Sequence, residues 1–350
     1  MLPPHPKRDF ATRLIAWQKA HGRHTLPWQG GEDPYRIWLS EIMLQQTQVE
    51  TVLPYYTRFL SRFPDIEALA GATEEEVMAH WSGLGYYSRA RNLHKAARRV
   101  VSEHDARFPE QFDAILALPG IGRSTAAAIA VFAFGHRRAI LDGNVKRVLA
   151  RVYGIDGWPG NKDVENRLWQ LAESLLPVAD IRAYTQGLMD LGATRCTRNK
   201  PGCVDCPFSD DCLANIQGRQ KDLPGARPKK ALPEKTTAML ILKHGDAVLL
   251  EKRPAPGIWG GLWSLPEYPL DIDPARAVAG MGYGVGAVEK CAPSRHAFTH
   301  FRLNIQPWLV NVDRPTFAAE PGCIWLALDD IDSAALPTPV RRILSSLRVL

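Results

Sequence analysis

No stretch of this 350-residue chain stays apolar long enough to span a bilayer, which excludes a helical integral membrane protein. The opening run Met1-Leu2-Pro3-Pro4-His5-Pro6-Lys7-Arg8-Asp9 lacks the apolar centre of a secretion signal, so a cytoplasmic, reducing compartment is expected. Cysteine is sparse, at six residues, and in such a compartment a disulfide pair is not expected. Charge is nearly balanced: 43 Lys and Arg against 37 Asp and Glu leave +6 and a pI near 9.0. That modest excess favours a polyanionic partner without requiring one. With 45% hydrophobic and 23% charged residues the chain has ordinary globular composition, and its length suits two domains.

The most structured stretch runs from Leu116 to Lys146. Pro119 and Gly120 should end one helix, Gly122 should permit a tight reversal, and Arg123 to Phe134 should form the next helix. A helix N-terminus of this kind offers outward N–H groups to a phosphate. A dinucleotide fingerprint is the competing reading, since Asp142 lies about twenty residues on. It lacks its third glycine, however, because Thr125 stands there, and the preceding segment reads as helix rather than strand.

Two carboxylates stand in opposed settings. A helix is expected from about Tyr35 to Val52, ending before Pro54, and Glu41 lies on or beside its apolar side with Ile37, Trp38, Ile42 and Leu44. A carboxyl there is either satisfied by a partner or holds its proton well above the usual range, as a general acid does. Asp142, followed by Gly143 and Asn144, should cap the helix Val145 to Tyr153 and be held ionised there. Environments that separate two carboxyls in this way assign acid and base roles at neutral pH. Polar Gln45 to Gln48 follow Glu41. A glycine-flanked turn at Gly83-Leu84-Gly85 should present Tyr86 and Tyr87 ahead of a helix carrying Arg89, Arg91, Lys95, Arg98 and Arg99, a combination used by nucleic-acid grooves.

Cys196, Cys203, Cys206 and Cys212 form C-x6-C-x2-C-x5-C, with one short knuckle where zinc sites usually have two. Four thiolates at uneven spacing suit an iron–sulfur cube better.

Taken together, Leu118-Pro119-Gly120-Ile121-Gly122, Asp142 and the cysteine loop resemble the endonuclease III superfamily of DNA glycosylases over roughly residues 8 to 215. Bifunctional members carry a nucleophilic lysine just after the hairpin; Ser124 occupies that place here and cannot form a Schiff base. Ser40-Glu41-Ile42-Met43-Leu44-Gln45-Gln46-Thr47-Gln48-Val49 resembles the corresponding motif of MutY-type adenine DNA glycosylases.

That resemblance implies several roles. Glu41 would protonate adenine and later activate water, Asp142 would stabilise the sugar cation, and Asn144 would support the water and the carboxylates. Gln46 and Tyr86 would enter the duplex at the oxidised guanine, while Leu44, Gln186 and Met189 would wall the adenine pocket. Gly120 and Gly122 of the hairpin would grip phosphate, Lys146 would lie near the abasic product, and Ser124 occupies a site that is Tyr in some members and Ser in others. The four cysteines would hold one [4Fe-4S] cluster. The partner implied is double-stranded DNA containing A:8-oxoguanine or A:G mispairs, bound by a monomer in the cytoplasm, at the nucleoid in a bacterium.

The C-terminal part reads as short strands with a terminal helix, a small α/β domain. Gly257-Ile258-Trp259-Gly260-Gly261-Leu262-Trp263-Ser264-Leu265-Pro266 resembles a Nudix substrate region. The acidic magnesium helix does not follow, since Asp271 to Lys290 offers Ala, Gly and scattered acids, which argues against diphosphate hydrolysis. His296-Ala297-Phe298-Thr299-His300 matches the family's lesion-reading loop, with Thr299 in place of Ser, so Phe298, Thr299 and His300 would contact 8-oxoguanine.

The expected organisation is a mainly α helix-hairpin-helix glycosylase domain over 1–217, with its hairpin at about 114–132 and its iron–sulfur loop at 196–212. A basic, Pro-containing connector at 218–235 and a Nudix-like α/β domain over 236–350 follow. Monofunctional adenine removal is the reading this supports. A bifunctional glycosylase/lyase, a non-catalytic lesion-binding protein and a zinc-dependent DNA-binding module are the alternatives.

Overall fold

The computed structural model describes residues 10–228, 231–254, 257–298, 300–313 and 322–349. It forms two compact units that do not follow the order of the chain. The first holds the described residues of Met1–Tyr56, Asp65–Ala70 and Lys95–Lys229. The second holds Thr57–Pro64, Gly71–His94 and the described residues of Lys230–Leu350.

The helices in chain order begin with α1 (Phe10–His21), α2 (Pro34–Met43), α3 (Val49–Arg62), α4 (Ile66–Gly71), α5 (Glu74–Trp81) and α6 (Ser88–Glu103). They continue with α7 (Phe112–Ala117), α8 (Arg123–Phe134), α9 (Gly143–Val152), α10 (Lys162–Ser174), α11 (Ile181–Asp190) and α12 (Leu213–Ile216). Within the first unit α8 is the innermost: its Ala126 to Val131 are all buried, as expected of a helix apolar on every side. Leu14, Val145, Val148, Leu149, Leu168, Leu171 and Leu188, drawn from α1, α9, α10 and α11, form one apolar core. Phe10 ties the cysteine loop to that core, its ring stacked on Phe208 at 4.4 Å and 7°. Leu223, inside the expected connector, is buried in the same core.

Two expectations are corrected here. The helix expected from Tyr35 to Val52 is two helices, because α2 stops at Met43 and Gln46 takes a left-handed φ of 56° that a helix cannot continue through. Pro54 does not end the second of them; it sits inside α3. At the hairpin the left-handed residue is Gly120, with φ 79°, whereas Gly122 is extended at φ −93° and precedes α8 as its cap.

The second unit is built on a mixed sheet of β1 (Glu234–His244), β2 (Ala247–Lys252), β3 (Trp263–Ser264), β4 (Glu267–Tyr268), β5 (Val285–Lys290), β6 (Ser294–Ala297), β7 (Arg302–Val312) and β8 (Cys323–Ala327). Its central order is β3-β2-β1-β7-β5, and β1 with β7 is a parallel pair from Glu234↔Arg302 to Lys243↔Asn311. Alternation puts Leu240 and Leu242 on one face, with Val310, Val312 and Val278 of α13 (Pro274–Gly280). Pro339 starts the terminal helix α14 (Thr338–Ser345), whose Val340 and Leu344 are buried.

Phe10→Ala should destabilise the first unit by about 3–5 kcal/mol, because it empties a stacked core position. A urea unfolding curve that places the variant within experimental error of the parent would contradict this packing account.

Candidate active site

The site begins with the way α2 is capped. The Asp33 side chain accepts from the Tyr35 N–H at 2.9 Å, and Pro34 supplies a pre-set first turn. The helix then buries Ile37, Trp38, Leu39, Ser40, Ile42 and Met43, which carries Glu41 into apolar surroundings. Glu41 borders an open cavity of the first unit together with Leu44, Gln186 and Met189, and also Arg23 and Trp28. Burial pushes the Glu41 carboxyl up to about 8, and the negative charge of Asp142 pushes in the same direction.

Asp142 lies close enough to Glu41 for its charge to act on that carboxyl. It caps α9, and its Oδ1 accepts from the Val145 N–H at 2.8 Å. Burial raises its carboxyl above the usual range, opposed by the Val145 and Asn144 N–H groups and by the Arg147 and Lys146 cations. The expectation that the helix terminus holds Asp142 ionised is corrected here: burial outweighs these donors, which limit the rise without reversing it. Asp142 is not among the residues bordering the cavity. The loop entering Asp142 is pinned by Ser124, whose Oγ accepts from the Leu141 N–H at 2.9 Å.

Asn144 is fixed from two sides. Its Oδ1 accepts from Arg147 Nη2 at 2.7 Å, and a Cβ on Gly192 would lie 2.6 Å from its own Cβ, so only glycine fits there. Arg147 also donates to the carbonyls of Gly192 and Cys196, each at 2.7 Å. Lys146 pairs with Glu165 at 2.6 Å. Gln186 donates to Asp190 Oδ1 at 2.9 Å, and the fully buried Asp190 also accepts from the Arg23 backbone N–H and Nε. A carboxylate only accepts, so the Gln186 amide nitrogen must face it.

Cys196, Cys203, Cys206 and Cys212 line one small apolar cavity with Val148, Arg151 and Leu191. Burial pushes the Cys206 thiol up to about 12, and the neighbouring cysteines add to it. Among the described residues no group of three or more Cys, His, Asp or Glu is gathered tightly enough for a single metal ion. Arg151 donates to Cys196 Sγ at 3.4 Å and to the Thr197 and Arg198 carbonyls, so the loop is held by its own helix contacts as well.

Residues 39–174 match the HhH-GPD superfamily of base excision DNA repair proteins, and residues 237–346 match a NUDIX domain. Adenine DNA glycosylase from Buchnera aphidicola subsp. Acyrthosiphon pisum is 37% identical over 344 residues, covering 98% of this chain and 98% of its own. The Homo sapiens adenine DNA glycosylase is 31% identical and covers 95% of this chain and 73% of its own length. This chain belongs to the adenine DNA glycosylase family. Among solved structures, a thermostable thymine-DNA glycosylase is 31% identical over 60% of this chain and 97% of its own, with a TM-score of 0.54. Endonuclease III trapped on DNA shares the fold at 20% identity, over 62% of this chain and 99% of its own, with a TM-score of 0.53.

For this adenine DNA glycosylase family member, the remaining candidates are not among the residues that line the cavity. Gln46 is exposed at its left-handed turn, and Gly120 and Gly122 lie in the hairpin. Tyr86 belongs to the second unit and is 45% exposed, whereas Tyr87, expected beside it at the surface, is 9% exposed because its hydroxyl is bonded inward. The basic face expected on α6 is partly internal, with Arg89 buried beneath Tyr86 and Trp81. Phe298 sits in an aromatic cluster with Trp259, His296, His300 and Phe301; Thr299 lies outside the described residues.

Arg23, Arg147 and Gly192 join the site without any mark in the sequence pattern. For Asp190 alone a signal exists: it lies four positions after Gln186, the helical spacing that lets two side chains meet.

The raised Glu41 carboxyl fixes a pH dependence. Glu41 binds its proton more tightly folded than unfolded, so its contribution to stability is present below the ordinary glutamate range and is lost as pH rises toward about 8. Glu41→Gln should therefore gain stability over the parent as pH rises from about 5 to about 8, by at most about 1.4 kcal/mol for each pH step of one. Denaturant midpoints of parent and variant that stay parallel across this range would rule it out.

Proposed function

We propose that this chain hydrolyses the N-glycosidic bond of adenine mispaired with 8-oxoguanine or G in duplex DNA, without cutting the strand. The observation that carries the reading is a glutamic acid at a cavity whose carboxyl burial pushes up to about 8, coupled electrostatically to Asp142. The adenine has to leave the base stack to reach a group on α2. Glu41 then gives its proton to the purine, which leaves with the electron pair of the glycosidic bond. Asp142 offsets the positive charge that grows on the sugar. Glu41, now a carboxylate, takes a proton from the water that adds to the sugar carbon.

Leu44, Gln186 and Met189 line the cavity that would receive the base, with the Gln186 carbonyl left to accept from an adenine amino group. Asn144, Lys146 and Ser124 act around Asp142 as the loop's supports. Ser124 has no amine to attack the sugar, and Lys146 is engaged by Glu165. Both points favour base removal alone over a glycosylase/lyase. Gly120 and Gly122 present the hairpin backbone to phosphate, and Gln46, Tyr86, Phe298, Thr299 and His300 read the opposite base.

The four cysteines, which share one cavity, would hold one [4Fe-4S] cluster. Such a cluster would crosslink the loop electronically and mechanically when bound. No helix among the described residues is long and apolar enough to cross a membrane, and a cytoplasmic monomer acting on chromosomal DNA is the setting proposed.

Single-turnover adenine release from an A:8-oxoguanine duplex tests the chemistry. Glu41→Gln and Asp142→Asn should each lower the rate at least about a hundredfold, the scale of general acid catalysis. Near-parental rates in both would defeat the mechanism, and alkali-independent strand cleavage by the parent would restore the lyase. Cys206→Ser should lose iron and the brown colour of the purified protein; retained iron in that variant would remove Cys206 from the ligand set.

A further inference from the structure

Within the second unit, Gly83, Gly85 and Tyr86 all have positive φ, at 96°, 78° and 50°. Glycine takes that conformation freely, but Tyr86 does not, and it also leaves 45% of a large aromatic surface in solvent. Such a conformation persists only where its surroundings over-determine it. Part of the hold is local: Trp81 Nε1 and Arg89 Nη2 both donate to the Gly85 carbonyl, at 3.2 and 3.0 Å.

The other part comes from about 250 residues further along the chain. The Leu336 carbonyl accepts from Ser82 Oγ at 3.2 Å and from Tyr87 Oη at 3.4 Å, so one buried oxygen grips both ends of the turn. Each hydroxyl is polarised by a second bond: Ser82 Oγ accepts from Arg341 Nη2 at 2.8 Å, and Tyr87 Oη accepts from the Gly83 N–H at 3.2 Å. Arg341, on α14, also donates to the carbonyls of Ala334 (2.7 Å) and Ile331, which locks the Leu336 segment to the same guanidinium.

We propose that Arg341 and the Leu336 carbonyl form a bracket that holds the Tyr86 turn outward, making the C-terminal helix a positioning element for duplex recognition. The link to recognition rests on the duplex-binding reading given above; the bracket itself does not. Neither residue touches the cavity at Glu41, so its loss should alter binding of the mispair and leave the chemical step at saturating enzyme unchanged.

Two measurements on the full-length protein separate these parts. Without DNA, amide hydrogen exchange over residues 83–87 should quicken about tenfold in Arg341→Ala, the scale of one charge-assisted hydrogen bond; unchanged exchange overturns the bracket. With a duplex carrying non-cleavable 2′-fluoro-adenosine opposite 8-oxoguanine, Kd should rise about tenfold in Arg341→Ala, and the same change made in a Tyr86→Ala background should have no further effect. Equal losses in both backgrounds would mean that Arg341 acts structurally and not through Tyr86. Tyr87→Phe, which removes one hydroxyl and keeps the buried ring, should show the same non-additivity on a smaller scale if Arg341→Ala does not fold; simple additivity there overturns the proposal. A parent protein with no preference for the mispair over an A:T duplex would instead refute the function reading, while the exchange result would still judge the bracket.

Discussion

The candidate site depends on two buried carboxyl groups, each of which makes it harder to charge the other. Glu41 sits on a helix whose neighbours are apolar, and Asp142 caps a helix whose N–H groups and cations draw out its charge. Burial alone would raise both. What breaks the symmetry is the set of donors, all on the Asp142 side. Any charge on Asp142 adds its repulsion to burial at Glu41, so the two environments push the carboxyls apart. The backbone donors around Asp142 thus favour Glu41 as the acid and Asp142 as the stabilising anion.

Much of the surrounding structure maintains that asymmetry. Ser124 pins the loop into Asp142, Gly192 leaves room for Asn144, and Arg147 joins Asn144 to the Gly192 and Cys196 carbonyls. The cysteine loop is therefore mechanically continuous with the turn that presents Asp142, through one guanidinium. Phe10 stacking on Phe208 anchors the same loop to α1. A cluster bound by those cysteines would stiffen the framework around the aspartate, which gives it a place in the account that requires no electron transfer.

Local chemistry makes part of this visible in the sequence. Asp142 with Gly143 and Asn144 reads as a helix cap because the side chain satisfies an orphan N–H three residues on, and that bond is present. Glu41 amid Ile37, Trp38 and Ile42 reads as a costly carboxyl for equally local reasons. Tertiary effects are out of reach. The break at Gln46 cannot be inferred from a run of polar residues that also suits a helix surface, and Pro54 reads as a terminator although it sits inside α3. Tyr86 and Tyr87 are indistinguishable by composition, yet one is outside and one inside because Leu336, far along the chain, offers its carbonyl to the second. Arg23 and Asp190 matter only because folding brings residues 167 positions apart into one ion pair.

The central claim is that Glu41 holds a proton at neutral pH because it is buried, with the nearby Asp142 carboxyl adding to the effect. Carbon-13 NMR of the Glu41 side-chain carboxyl, assigned by loss of its signal in Glu41→Gln and followed across pH, tests it directly. The account predicts a midpoint near 8 in the parent and a lower one in Asp142→Asn. A midpoint in the ordinary glutamate range, or one that Asp142→Asn leaves unmoved, would contradict it.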